Sequence, residues 1–126
     1  MATQPLCMIV EDQALIGFNL ETFLSGAGFG IVSAFPDNMS ALAWLNRNQP
    51  DVALLDFMLR DGSCVPIARA LRARGIPFAV YSAMPHGRRL PREVQTVPWL
   101  EKPSREEQIV ETLADLAAHS HASDPH

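Results

Sequence analysis

Glu11 and Asp12 directly follow the apolar run Leu6-Cys7-Met8-Ile9-Val10, and Asp56 directly follows Val52-Ala53-Leu54-Leu55. Ser82 follows Phe78-Ala79-Val80-Tyr81, and Lys102 comes just after Val97-Pro98-Trp99-Leu100. Four short apolar runs thus end in polar functions, which is where open parallel sheets build their sites. Three carboxylates brought to one sheet edge repel one another. At ~4 Å and an effective dielectric near 20, each pair costs about 4 kcal/mol before relaxation. A cation must offset that. An all-oxygen donor set suits Mg²⁺, with Glu11 and Asp12 as ligands directly or through water. Asp56 is then the nucleophile toward a phosphoryl group. Lys102, a compact point charge, can pair with Asp56 when the site is empty and with a phosphoryl oxygen when it is loaded. The Ser82 hydroxyl can donate to another phosphoryl oxygen. Together these groups would spread the charge of a metaphosphate-like transition state.

The elements that must position these residues follow from periodicity. Leu6 to Val10 reads as a strand covered on both faces. From Asp12 the period changes: Leu15, Phe18 or Asn19, Thr22 or Phe23, and Ala27 recur at helical intervals up to Gly26-Ala27-Gly28, where glycine can end a helix. Phe29 to Phe35 reads as a second strand. Pro36-Asp37-Asn38 is a turn and cap, and Met39, Leu42, Ala43 and Leu45 mark a second helix, with Trp44 as a core residue. Val52 to Leu55 is the third strand. After a loop through Asp61-Gly62, a third helix carries Ile67, Ala70 and Leu71 and ends at Gly75. Phe78 to Tyr81 is the fourth strand, with proline at its edge.

Between Ala83 and Thr96, Pro85, Gly87 and Pro91 argue against a long regular helix. Val97 to Leu100 is a brief fifth strand. Ser104-Arg105-Glu106-Glu107 has capping-box spacing before a last helix whose inner face is Ile109, Leu113 and Leu116. Residues 119–126 read as a polar tail, the structured core being about 5–118. Strands alternating with helices imply an α/β parallel sheet with right-handed crossovers and helices on both faces.

The 126 residues suit one domain, with 48% hydrophobic and 19% charged residues. A net charge of −4 and no run of Lys and Arg argue against a nucleic-acid surface. Arg69, Arg72 and Arg74 cluster with a spacing that suits the outer face of one helix, solvated or in contact with a partner. Cys7 and Cys64 have neither disulfide nor zinc spacing, which implies a reducing compartment. No run is long enough to span a membrane, and Met1-Ala2-Thr3-Gln4-Pro5 lacks the regions of a signal peptide. A cytoplasmic protein is the expectation. His86 reads as a surface residue, and His119, His121 and His126 lack metal-site spacing.

Taken in order, Glu11-Asp12, Asp56 in Asp-Phe-Met-Leu-Arg-Asp-Gly, Ser82-Ala83 and Lys102-Pro103 resemble a response-regulator receiver domain of two-component signal transduction, over Leu6 to roughly Ala118. The resemblance implies a doubly wound, flavodoxin-like (βα)5 fold with strand order 2-1-3-4-5. It implies that Asp56 accepts phosphate from a sensor histidine kinase or a histidine phosphotransfer protein. It also implies that Glu11 and Asp12 bind Mg²⁺ and that the Met58 backbone carbonyl completes the metal shell. Ser82 would move toward the phosphoryl group, and Trp99 holds the place of an aromatic rotamer switch. Arg60 stands where the family usually has proline. The proline-broken fourth helix and Pro77-Phe78-Ala79 are similar to a subgroup of single-domain bacterial receivers with a short or irregular fourth helix.

The resulting expectation is a phosphoacceptor switch rather than an enzyme, a monomer or weak homodimer without an output domain. It would act by binding a protein partner, relaying phosphate, or draining a shared kinase. Two other classes compete. An aspartyl-phosphate phosphatase typically needs a second aspartate two residues past the nucleophile, where this chain has Met58. A degenerate receiver would bind partners without phosphorylation, against which all the catalytic positions are filled. Singly, each carboxylate also has a structural reading, such as a helix start at the positive dipole end. Their joint placement at successive strand ends favours the chemical one.

Overall fold

The computed structural model describes residues 4–87 and 89–122, with the side chains of 120–122 outside that description. In chain order the elements are β1 (Leu6–Val10), α1 (Ala14–Gly26), β2 (Gly30–Ile31), α2 (Asn38–Leu45), β3 (Val52–Leu55), β4 (Met58–Leu59) and β5 (Gly62–Ser63). They continue with α3 (Val65–Ala73), β6 (Phe78–Ser82), α4 (Arg92–Gln95), β7 (Trp99–Glu101) and α5 (Glu106–Ala122). The main sheet has the order β2-β1-β3-β6-β7, parallel throughout. With the small antiparallel hairpin β4-β5 set aside, this is the expected flavodoxin-like order.

Alternation along the strands divides the core into two layers. Met8, Val10, Ala53, Leu55, Phe78 and Val80 pack with Ala41, Leu45, Ile67, Leu71 and Val94 of α2, α3 and α4. Cys7, Ile9, Val52, Leu54 and Ala79 pack with Leu20, Leu24, Ile109 and Leu113 of α1 and α5. A sheet buried on both faces needs apolar residues at every strand position, which is why the strands read as continuous runs. Fully burying one such Leu or Ile contributes about 1.5–3 kcal/mol.

Several expectations change. The second strand is two residues long, and Phe35 returns only as a single bridge to Val10. An edge strand has one neighbour, so the ladder lapses between these points. The inward residues of α1 are Gly17, Leu20 and Leu24, whereas Leu15 and Phe18 lie 73% and 63% exposed. The apolar residues at helical spacing there included the outer face. Met39 is likewise exposed, and Trp44 is half-buried against Phe35 at the margin of the core. The last strand begins at Trp99 rather than Val97.

The capping box does not form. Ser104 Oγ donates to the Glu101 carbonyl at 2.6 Å, so the hydroxyl holds the end of β7 rather than the start of α5. The third inward position of α5 is Ala117, with Leu116 half-buried. That helix continues through Ala122, past the expected start of the tail, because Ala114, Ala117 and Ala118 are strong helix formers. Residues 123–126, His126 among them, lie outside the described residues, as does the side chain of His121. The fourth helix is short, as the prolines dictate: Pro91 precedes a single turn, Arg92–Gln95.

Candidate functional site

The register of the parallel ladder brings the polar residues together. Val10 pairs with Leu55, so the next residues along the chain, Glu11 and Asp56, leave adjacent strands at one level. The Asp56 amide donates to the Val10 carbonyl at 2.9 Å, and the Glu11 amide to the Phe35 carbonyl at 2.8 Å, which fixes both backbones. On the other side Ser82 pairs with Glu101, and the Lys102 amide donates to the Ser82 carbonyl at 2.8 Å. Sheet order reverses direction between β1 and β3, which opens a crevice at their C-terminal ends.

Within it, Glu11, Asp12 and Asp56 each offer a carboxylate oxygen within 4.8 Å of the others. Lys102 Nζ donates to Glu11 Oε1 at 2.7 Å and to Asp56 Oδ2 at 3.1 Å. Glu11 Oε2 accepts from the Gln13 amide at 3.0 Å, and the ammonium also lies 5.4 Å from the centroid of the Tyr81 ring. The side chains of Glu11, Asp56 and Lys102 are 1%, 11% and 13% exposed. Burial pushes the Glu11 carboxyl above its ordinary value, and the bonds from Lys102 and Gln13 pull it back only in part. Burial alone would lower the Lys102 pKa, but its bonds to Glu11 and Asp56 outweigh this and raise it.

Three carboxylates with one ammonium leave an excess of negative charge in a partly desolvated crevice. Hard oxygen donors in that condition fit a small divalent cation.

Ser82, 3% exposed, sits at the end of β6, where its Oγ accepts from the Met84 amide at 3.2 Å. Trp99 is half-buried. Its Nε1 donates to the Met84 carbonyl at 2.8 Å, and its ring packs on Phe57 at 5.6 Å between centroids and against His86 at 5.5 Å. His86 Nε2 in turn lies 3.2 Å from the Gln95 carbonyl. His86, left without a role by its sequence context, therefore ties the β6–α4 segment to α4. Met58 opens β4 with its side chain 50% exposed.

Two supporting residues escaped sequence reasoning. Asp61, expected only as loop, accepts from the Asn38 amide at 2.9 Å, the Asn38 Nδ2 at 3.1 Å and the Met39 amide at 3.2 Å. It clamps the start of α2 from the turn of the β4-β5 hairpin, which stands directly after Asp56. The same turn contains Arg60, so the absence of proline does not prevent an ordered hairpin. The Asp-Gly pair before Ser63 is a hairpin signal that could have revealed it. Gly17 is the other. A Cβ there would lie 3.1 Å from Ala34 Cβ and 3.9 Å from Glu11 Cγ, so its lack of a side chain lets α1 pass close beside the acidic strand end.

The family model for the response regulator receiver domain matches residues 7–114, nearly the whole chain. The chain belongs to that family. Among curated relatives, the receiver is 36% identical over 84 residues to the transcriptional regulatory protein CseB of Streptomyces avermitilis, spanning 66% of this chain and 35% of that protein. It thus covers about a third of the length of such relatives. Among solved structures, SdrG from Sphingomonas melonis is 32% identical to the receiver, with a TM-score of 0.75, and the alignment covers 92% of this chain and 98% of SdrG. The Francisella response regulator 1452 receiver domain shares the fold at a TM-score of 0.81 and 19% identity, covering 93% of this chain and 99% of that one. Among the described residues, no helix is long and apolar enough to cross a membrane.

Proposed function

We propose that this receiver takes a phosphoryl group on Asp56 from a phosphohistidine of a sensor histidine kinase or histidine phosphotransfer protein. The change would switch its affinity for a protein partner or pass the phosphate on. The observation that carries the reading is the Lys102 ammonium shared by Glu11 and Asp56 beside a third carboxylate. In the transfer, an Asp56 carboxylate oxygen forms the new O–P bond as the N–P bond to histidine breaks and the imidazole leaves with the bonding pair. Lys102 already holds Asp56 Oδ2, which leaves the other oxygen for attack and the ammonium in place for a phosphoryl oxygen. Glu11, Asp12, Asp56 and the Met58 carbonyl are the groups that would hold Mg²⁺, which supplies charge neutralisation between carboxylates and phosphate when bound.

Ser82 Oγ, now an acceptor from the Met84 amide, gives up that bond as it turns to the phosphoryl group. The Met84 carbonyl holds the Trp99 indole, so the change is felt along the 83–99 segment. A coupling of about 1–3 kcal/mol between this rearrangement and partner binding is enough for a switch. Self-catalysed transfer of this kind makes the chain a phosphoacceptor rather than a turnover enzyme.

The test is intact-mass measurement after incubation with a small phosphoryl donor and Mg²⁺. One added phosphate is expected on the wild type and none on Asp56→Asn. Labelling retained in the variant would move the acceptor, and no labelling of the wild type would leave a phosphorylation-independent binding module.

A further inference from the structure

Charge is segregated along this chain in a way the phosphoacceptor site does not use. Between residues 62 and 100 stand Arg69, Arg72, Arg74, Arg88, Arg89 and Arg92, and the sole acid in that stretch is Glu93. Glu106, Glu107, Glu111 and Asp115 lie exposed on α5, in the opposite layer. The sheet therefore separates a cationic helical face from an anionic one.

On the cationic face Arg69 and Arg72 are three residues apart on α3 and project from the same side. Val94, fully buried in the α3-side core, anchors the single turn of α4 against them and so presents Arg92 and Glu93. Arg69 donates to Glu93 Oε2 through Nε at 3.2 Å and Nη2 at 3.0 Å. Arg72, Arg92 and Glu93 line a pocket of ≈ 210 Å³. The Glu93 side chain is only 22% exposed, while that of Arg69 is 70% exposed. A single carboxylate is thus set among three guanidinium groups, whose planar forks are matched to carboxylates.

We propose that Arg69, Arg72 and Arg92 form a docking site for a short acidic segment of a partner protein, with Glu93 as the internal carboxylate that the segment displaces. Three guanidinium groups against one acid leave two positive charges over, which suits a peptide bearing two or three carboxylates. A nucleic-acid strand fits less well, because its charges recur every ~3.4 Å and would run from this patch toward the acids of the rest of the chain. The Arg69 end of the pair is open to water, which screens its attraction for Glu93, so an incoming carboxylate can replace it.

The experiment is fluorescence anisotropy with a fluorescein-labelled peptide bearing three consecutive glutamates flanked by glycines and, in parallel, an oligothymidylate of equal charge. It uses the whole chain without phosphoryl donor, so its outcome is independent of labelling at Asp56. Binding of the peptide that weakens with added salt is expected. Arg72→Glu with Arg92→Glu should weaken it at least about tenfold, and Glu93→Gln should strengthen it about threefold. Arg72→Gln and Arg92→Gln, each milder, should show the same direction, and circular dichroism checks that each variant is folded. Equal affinity in the charge-reversed and wild-type proteins, or no binding by the wild type and Glu93→Gln, would overturn the proposal. Tighter binding of the oligonucleotide would overturn its choice of partner.

Discussion

Lys102 lies nearer to Glu11 than to Asp56, at 2.7 Å against 3.1 Å. The ammonium is therefore shared, and its closer partner is the most buried acid of the site. Pairing with the phosphoacceptor alone, the simplest reading of the residue types, omits the larger electrostatic demand. A carboxylate with a 1% exposed side chain has little water to solvate it, so Lys102 serves stability as well as chemistry.

Replacing that ammonium by a thioether of similar volume, Lys102→Met, should cost about 3 kcal/mol at neutral pH by leaving Glu11 buried without its cation. Because burial already raises the Glu11 pKa, protonation at mildly acidic pH should relieve part of the loss. Added Mg²⁺ should also restore stability in the variant by supplying the missing positive charge. Urea denaturation at two pH values, with and without the ion, measures all three effects. A loss of the same size at both pH values would contradict the role given to Glu11.

At high pH the fold should weaken through three groups. Cys7 and Cys64 are buried free thiols, and burial pushes each from 9.0 up to about 12. A thiol pKa raised in the folded state contributes stability that is whole below 9.0 and is lost as pH climbs toward 12. Lys102 acts with the same sign: its contribution is whole below its ordinary 10.5 and fades as pH rises through its higher folded value. Thermal melts should therefore fall progressively above pH 9. A thiol reagent at neutral pH should label neither cysteine until denaturant is added.

Trp99 carries two separable connections, a ring stack and an N–H bond. Trp99→Phe keeps an aromatic ring beside Phe57 and His86 but removes the donor to the Met84 carbonyl. The expected cost is about 0.5–1.5 kcal/mol, with faster amide exchange at Met84 and its neighbours. Exchange unchanged in that segment would show that the indole N–H does not restrain it.

Asp61 satisfies two backbone donors of α2 from a distant turn. Asp61→Ala should lower the urea midpoint at neutral pH, as loss of a helix cap does, although Asp37 still accepts from the Ser40 amide at 2.9 Å. The backbone amide of Asn38 is the main cause holding the Asp61 pKa below its ordinary 3.8. A depressed carboxylate stabilises above its unfolded pKa and ceases to do so as pH falls through its folded one, so wild type and variant should converge in acid.

The strand ends and the polar residues that follow them were legible in the chain because a sheet covered on both faces demands unbroken apolar runs. A carboxylate after such a run marks the edge of the sheet, as at Val10–Glu11 and Leu55–Asp56. The short fourth helix was legible for the same local reason, since Pro85, Gly87 and Pro91 act on their own backbone. Periodicity could not separate the faces of α1, where Leu15 and Phe18 are as apolar as the buried Leu20 and Leu24. Nor could it show that Ser104 bonds backward to Glu101 instead of capping α5.

Residue types alone determined that three acids, a hydroxyl and an ammonium would meet at the C-terminal edge of a parallel sheet. Tertiary structure decided which of them touch: Lys102 on Glu11 as well as Asp56, Trp99 on Met84, Asp61 on Asn38 and Arg69 on Glu93. Backbone periodicity is a local property, carried by each segment alone. A contact across 15 to 91 residues depends on crossover packing and strand register, which no single segment contains.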